Sequence, residues 1–243
     1  MQMNNTIRPP DAVLRVEPLG DRALLVVFGE GIDASVNDRV HGLVSILRES
    51  GLPGVLDLVP AYATLTVHYD PSSWARPGTL PHEAIRSEIL RLWKEARAAS
   101  LRPSRPVEIP VCYGGEFGPD LEEVARHCGL SATSVIARHS RPEYRVFMLG
   151  FAPGFAYLGG LDPSIAVPRR ETPRLKVPAG SVGIAGTQTG IYPSDSPGGW
   201  QIIGRTPLKM FDPSLEEPCR LGPGDRLRFV AIEEAAFKPE GRP

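Results

Sequence analysis

Residues 150–206 read GFAPGFAYLGGLDPSIAVPRRETPRLKVPAGSVGIAGTQTGIYPSDSPGGWQIIGRT, and this segment mixes turn-forming residues with residues that pack well. Between positions 150 and 207 there are 11 glycines and 8 prolines. A disordered segment this rich in glycine and proline normally lacks packable side chains. Here aromatic and branched residues interrupt the turn formers: Phe151, Phe155, Tyr157, Ile184, Ile191, Tyr192, Trp200, Ile202 and Ile203. The segment therefore predicts folded β structure with many tight turns.

The composition around this segment is that of a soluble globular protein. Apolar residues make up 42% of the 243 residues and charged residues 23%, and the length favours two domains. The net charge of -1 gives no basic face for nucleic acid. No run of 18 apolar residues is present, and the opening MQMNNTIRPPD lacks the features of a signal peptide. We expect a cytoplasmic protein that binds neither nucleic acid nor membrane.

Cysteine and histidine spacing argues against a metal site or a disulfide framework. The three cysteines are widely separated, which favours reduced thiols: Cys112, Cys128 and Cys219. The five histidines lack ligand spacing: His41, His68, His82, His127 and His139. Neither a Walker phosphate loop nor an HExxH motif occurs. We therefore predict no metal and no cofactor held by this chain alone.

The first half of the chain predicts strands and helices in a repeated order. Two strand pairs each precede a helix with an apolar period of 3.6 residues, and Asp33 and Gly51 are placed to begin and end the first helix. The predicted strands are Val13–Val16, Ala23–Phe28, Val55–Val59 and Thr64–Tyr69. We expect an α+β domain with ββα-ββα order over residues 13–99, after a disordered tail at residues 1–12.

A polar linker at residues 100–106 separates this domain from a second one at residues 107–235, with a C-terminal tail at 236–243. Two short helices are predicted at 120–128 and 133–139, the first begun by Pro119 or Asp120 and the second capped by Ser131. The remaining predicted elements are strands at 107–111, 145–149, 176–177, 182–185, 201–204, 209–211 and 227–231. Short strands and frequent turns favour a closed or nearly closed β barrel.

Two glycine-rich turns offer backbone N–H groups that can accept a carboxylate or an oxyanion. Gly180 and Ser181 belong to one turn, and Gln188 lies in the other. The alternative is that both turns are ordinary barrel corners, where glycine is common. A GxSxG nucleophile at Ser181 is disfavoured, because Ala179 replaces the first glycine and a strand rather than a helix follows.

Three further groups of side chains are candidates for chemistry or binding. Arg174 lies in a basic stretch just before the first glycine turn, and an anion site or a solvated face are both possible. His139 ends a helix and is either an acid or base or a buried structural residue. The aromatic residues Phe155, Tyr192 and Trp200 either line a substrate pocket or belong to the core.

Several long motifs, in the same order, resemble the PxpB/KipI family, formerly labelled allophanate hydrolase subunit 1. They are LGDRAL at 19–24, GFAPGFAYLGGL at 150–161, PAGSVGIAG at 178–186, QTGIYP at 188–193 and SPGGWQIIGRT at 196–206. Ala156 and Thr187 depart slightly from the family pattern. The resemblance implies a small N-terminal α+β domain followed by a cyclophilin-like β barrel, without prolyl isomerase activity.

The resemblance also implies a function: one component, called B, of an ATP-dependent 5-oxoprolinase, which opens 5-oxo-L-proline to L-glutamate together with A and C subunits. ATP with Mg would be used by the complex and not by this chain alone. Gly180, Ser181 and Gln188 would then stabilise the oxyanion, and Arg174 would bind the substrate carboxylate. Two alternatives stay open, an inhibitor of a sensor histidine kinase and a carboxyltransferase-type component in urea or allophanate metabolism.

Overall fold

The computed structural model of the chain describes residues 6–7, 14–95, 99–100 and 106–240. It divides into two compact units, residues 1–103 and residues 104–243. The division falls inside the predicted linker, of which residues 101–105 lie outside the described part of the chain. No helix in the described ranges is long and apolar enough to cross a membrane.

The first unit contains the predicted repeat of two strands and a helix. Its elements are β1 (Thr6–Ile7), β2 (Arg15–Pro18), β3 (Ala23–Val27), α1 (Ala34–Ser50), β4 (Val55–Pro60), β5 (Thr64–Tyr69), α2 (Pro81–Glu95) and β6 (Ala99–Ser100). Four strands form an antiparallel sheet in the order β2-β3-β5-β4, and β1 pairs with β6. The tail predicted at residues 1–12 thus contains a short strand, and its other residues lie outside the described ranges.

Helix α1 shows why this unit folds as its sequence predicts. The Asp33 carboxylate accepts a hydrogen bond from the Val36 N–H at 3.0 Å and caps the first turn. Gly51 ends the helix in the left-handed conformation with φ 58°. The apolar face, which includes Leu43 and Leu47, is buried in one core with residues of β3 and β5. Local capping signals and the apolar period therefore agree with the packing.

The second unit is a closed seven-stranded barrel with two helices. Its elements are β7 (Val107–Tyr113), α3 (Leu121–Cys128), α4 (Ala132–Ser140), β8 (Tyr144–Leu149), β9 (Ala156–Gly159), β10 (Arg174–Val177), β11 (Ser181–Ala185), β12 (Gln188–Ile191), β13 (Ser196–Gly198), β14 (Gln201–Arg205) and β15 (Arg226–Ala231). The barrel order is β11-β12-β9-β8-β15-β7-β14, and β10 pairs with β13 in a separate two-stranded ribbon. The predicted α+β fold with a barrel is confirmed.

Three strands of this unit were missed by sequence analysis: β9, β12 and β13. Glycines that read as turn formers lie inside these strands because neighbouring groups come very close. A Cβ on Gly159 would lie 1.8 Å from the Phe147 ring, and one on Gly190 would lie 3.0 Å from the Ala156 carbonyl oxygen. The strand predicted at 209–211 is wrong, since only Phe211 forms an isolated bridge, with Cys219.

The predicted C-terminal tail, residues 236–243, packs against the barrel as far as it is described. The ring of Phe237 lies 4.5 Å from that of Phe117, between centroids, and the Glu240 N–H donates to the Pro207 carbonyl oxygen at 2.9 Å. Glu240 also pairs with Arg220. This segment therefore forms one wall of the surface around Pro207.

Candidate functional site

The turn at Gly180 and Ser181 is held together by its own backbone. The Gly180 N–H donates to the Tyr192 carbonyl oxygen at 2.7 Å, and the Ser181 N–H donates to the Pro178 carbonyl oxygen at 3.2 Å. The preceding Ala179 N–H donates to the Asp195 carboxylate at 2.8 Å. Because these donors already have partners, they are not available to an oxyanion in this conformation.

Gly180 also has a steric reason to be glycine. Its φ is 82°, and a Cβ would lie 2.4 Å from the Thr206 carbonyl oxygen. Only a residue without a side chain fits both constraints. The turn therefore matches the alternative interpretation, a barrel corner in which two backbone segments come into close contact.

Gln188 lies at the other end of the same hairpin. Strands β11 and β12 pair so that Ala185 faces Gln188, whereas Val182, next to Ser181, faces Ile191. At about 3.3 Å per residue, Ser181 and Gln188 lie about 13 Å apart along the hairpin. The two residues predicted to share an oxyanion site are thus not brought together.

His139 lies inside the barrel wall and is fully buried. Its Nε2 lies 2.9 Å from the Thr189 hydroxyl, which itself donates to the Gly183 carbonyl oxygen, so Nε2 carries the hydrogen and donates to Thr189. Nδ1 then accepts from the Tyr113 hydroxyl at 2.7 Å. Burial lowers the pKa of His139 to about 3. A neutral, enclosed imidazole cannot exchange protons with a substrate, and its place in the core is structural.

The three aromatic residues predicted to line a pocket belong to a small core beside the barrel. Phe155, Tyr192 and Trp200 are buried and pack together with Val177, Ala185 and Ile202. The Phe155 ring meets those of Tyr192 and Trp200 edge to face, at 5.2 and 5.5 Å between centroids. They support the surrounding loops and are not exposed to a ligand.

Arg174 has an internal partner that sequence analysis missed. Its guanidinium forms a bidentate pair with the buried Asp120 carboxylate, at 2.8 and 2.6 Å, and Arg170 donates to the same carboxylate at 3.1 Å. The Ile202 N–H also donates to Asp120, at 2.6 Å. Asp120 precedes α3 but makes no side-chain cap. The predicted role of Arg174 in binding a substrate carboxylate remains a prediction, and an internal carboxylate competes for its guanidinium.

Beside this ion-pair network lies a cleft of about 480 Å³, here called the α3 cleft. Helix α3 supplies one wall, and the loop that follows β9 supplies the other. The lining residues are Glu123, Val124, His127, Val167, Pro168, Arg169, Arg170, Glu171, Thr172 and Gln201. Arg170 of this lining shares Asp120 with Arg174, so two guanidinium groups oppose one carboxylate next to the cleft. The α3 cleft thus offers donors and acceptors to a small polar ligand.

A second cleft, of about 410 Å³, opens at the Gly180 turn and is walled by the C-terminal segment. Arg205 lies in it, with its Nε donating to the Ala179 carbonyl oxygen at 2.7 Å. Within the described ranges, no group of three or more His, Cys, Asp or Glu side chains is arranged to hold a metal ion.

The loop between β8 and β9 presents an unusual aromatic residue. Phe151 is the one non-glycine residue of the described chain with positive φ, at 68°, and 64% of its surface is exposed. Its ring touches Phe155 and Tyr192 edge to face, at 5.4 and 6.4 Å between centroids. Sequence analysis named it among the packable aromatics, but left its backbone conformation unpredicted.

Comparison with known proteins connects this architecture to a family. Residues 14–221 match the carboxyltransferase domain, subdomain C and D. The B subunit of 5-oxoprolinase from Bacillus subtilis (strain 168) is 46% identical over 93% of this chain and 97% of its own length. The protein of the same name from Escherichia coli O157:H7 is 45% identical over 89% of this chain and 95% of its own.

A solved structure gives the same match in three dimensions. The crystal structure of TTHA0988 is 43% identical, with a TM-score of 0.78 over 91% of this chain. This chain spans only 42% of that polypeptide. More than half of TTHA0988 thus lies beyond the two units described above.

Proposed function

The chain belongs to the carboxyltransferase domain family, subdomain C and D, and from this membership we propose that it is the B subunit of a 5-oxoprolinase. The observation that carries the proposal is the 46% identity to the B subunit from Bacillus subtilis over 93% of this chain and 97% of the relative. A match of this extent includes both units. The family match at residues 14–221 likewise runs through both.

The reaction we propose for the whole complex is the ATP-dependent opening of 5-oxo-L-proline to L-glutamate. A lactam opens when its carbonyl is activated and water attacks it, so the developing charge on oxygen must be stabilised. We propose that ATP with Mg acts on the A subunit or at a shared interface, and that the C subunit contacts this chain directly. The relatives are named as one lettered component of an enzyme, which supports an assembly of several chains.

Within this chain, we propose that the α3 cleft is the part of the molecule that faces the small-molecule substrate. Its volume of about 480 Å³ suits a ligand of this size. Arg169 is exposed at its rim and has no ion-pair partner among the described residues, so its guanidinium is free to bind a carboxylate, in contrast to Arg174. The N–H groups at Gly180 and Ser181 are already bonded, which argues against placing the substrate there.

The experiment is release of glutamate and ADP from 5-oxo-L-proline and ATP, first with this chain alone and then with its A and C subunits. We expect activity only in the full mixture. Turnover by the isolated chain contradicts the division of labour. Inactivity of a folded and assembled mixture contradicts the proposed function.

Arg169→Ala tests the α3 cleft in the same assay. We expect kcat/KM to fall more than tenfold, which corresponds to about 1.4 kcal/mol of lost binding. Arg228→Ala is the matched control, because Arg228 is an exposed arginine of the same unit on β15, away from the cleft lining. Equal kinetics for the two variants excludes Arg169 from the site.

A further inference from the structure

Phe151 carries two unfavourable features at one position. A bulky residue with φ near 68° lies in the left-handed region, which costs on the order of 1 kcal/mol or more. Its ring is also 64% exposed, so burial recovers little of that cost. Such strain persists only where the surroundings impose it, and it is concentrated at functional positions.

The surroundings do impose it. The Gly150 N–H donates to the Phe155 carbonyl oxygen at 3.1 Å, the Ala152 N–H to that of Gly150 at 2.8 Å, and the Phe155 N–H to that of Ala152 at 3.0 Å. Gly154 closes the loop with φ 81°, where a Cβ would lie 2.9 Å from the Phe211 side chain. The loop is therefore a fixed support that holds the Phe151 ring at the surface.

A cation stands near the same aromatic group. Burial raises the pKa of Tyr157 and of Tyr192, and the positive charge of Arg169 offsets part of the rise for both. Tyr192 is also a neighbour of Phe151, at 6.4 Å between ring centroids. We call Phe151, Tyr157 and Arg169 together the Phe151 patch. An exposed aromatic ring and an unpaired arginine are the residue types that dominate binding energy in protein interfaces.

The shape favours a protein over a small molecule as the occupant. Small ligands occupy concave sites, and Phe151 lines neither of the two clefts of this unit described above. A ring projecting from a rigid loop is instead suited to insertion into a pocket on another surface. In TTHA0988, a chain of the same fold continues into a further polypeptide that makes up more than half of its length, so this unit has a covalently attached neighbour there.

We propose that the Phe151 patch is the docking surface for the C subunit, with the Phe151 ring in an apolar pocket of that partner and a carboxylate of the partner opposite Arg169. The inference rests on the proposed function, because it takes its partner from the same complex. It assigns the strained loop a purpose that neither the core nor the clefts require.

The experiment measures the dissociation constant between this chain and the purified C subunit, with wild type, Phe151→Ala and a control. We expect Phe151→Ala to weaken binding about thirtyfold, the effect of losing an aromatic hot spot. The control is Leu215→Ala, another exposed apolar residue of this unit, 59% exposed, for which we expect less than a twofold change. Thermal melting of each variant checks that it is folded.

Activity of the complex separates docking from substrate contact. If the patch docks the C subunit, raising the concentration of that partner restores the turnover of the Phe151→Ala variant to the wild-type value. A raised KM for 5-oxo-L-proline that excess C subunit does not correct overturns the proposal, as does a dissociation constant equal to that of Leu215→Ala. If wild type and Phe151→Ala associate equally well with the C subunit, the docking surface is wrong and the proposed function stands. If wild type neither associates nor completes an active complex, the proposed function and this inference are both overturned.

Discussion

The Gly180 turn and the Phe151 loop look alike in sequence and differ in structure. Both are short glycine-containing connections next to barrel strands. At Gly180 the N–H groups bond to the protein's own carbonyl oxygens and the glycine makes room for Thr206. At Phe151 the loop backbone is also hydrogen-bonded, yet it holds a large ring outward at a conformational cost. Glycine density therefore does not identify a binding site, whereas an exposed group held under strain points to one.

The largest effect expected from this comparison is on stability, from Gly180→Ala. The new Cβ would meet the Thr206 carbonyl oxygen at 2.4 Å and would have to adopt φ 82°. We expect the free energy of unfolding to fall by about 3 kcal/mol. Gly186→Ala is the matched control, since Gly186 has φ 59° but no atom within 4 Å of the added Cβ, and it should cost about 1 kcal/mol. Urea-induced unfolding measures both, and equal losses would show that close contact does not determine the residue at Gly180.

A smaller effect, dependent on pH, is expected from His139. Its pKa is lowered to about 3 in the folded protein, whereas an unfolded histidine titrates near 6.5. Between these values the unfolded chain binds a proton that the folded chain does not, so stability falls as pH falls. We expect this residue to contribute a loss of about 1.4 kcal/mol per pH unit below about pH 6.

Urea titrations between about pH 4 and 7 measure that slope. His139→Gln keeps a polar side chain and removes the titration, so its stability should depend less steeply on pH than that of the wild type. Parallel slopes for the two proteins would mean that His139 is protonated in the folded state, which would reopen its predicted role as an acid or base.

The smallest effect on stability is expected from Phe151→Gly. Glycine adopts φ 68° without strain, and this gain offsets the loss of the ring's partial contact with Phe155 and Tyr192. We expect a change of less than about 1 kcal/mol in thermal or urea unfolding. Phe155→Ala, at a position only 1% exposed, should cost about 3 kcal/mol or more. A loss of similar size for Phe151→Gly would assign that ring to the core.

Much of the fold was predictable because its signals are local. Asp33 and Gly51 bound α1, and the apolar period predicts which face is buried. The missed strands contain glycines whose reason for being there is a distant neighbour, such as the Phe147 ring above Gly159. Nothing in a single sequence indicates such a neighbour, so these positions were interpreted as turns.

The candidate site was less predictable, for a related reason. Arg174 was identified from its place in a basic stretch, but its partner Asp120 lies 54 positions earlier and was interpreted as the start of a helix. His139 was identified with both of its possible roles, and only the hydrogen bonds to Tyr113 and Thr189 favour the structural one. Composition indicates which residues are capable of chemistry, whereas their partners depend on the three-dimensional fold.

The closure of the barrel has a consequence for how the protein is made. The first strand of the second unit, β7, lies parallel to the last, β15, with Val107 facing Leu227, and β15 also pairs with β8. During synthesis, the edges of β7 and β8 therefore stay open until β15 has left the ribosome. Pairing of such distant segments is slow, and open strand edges favour association with other chains. A ribosome that stalls before Arg226 releases an aggregation-prone fragment, so quality control of this protein acts mainly on its final strand.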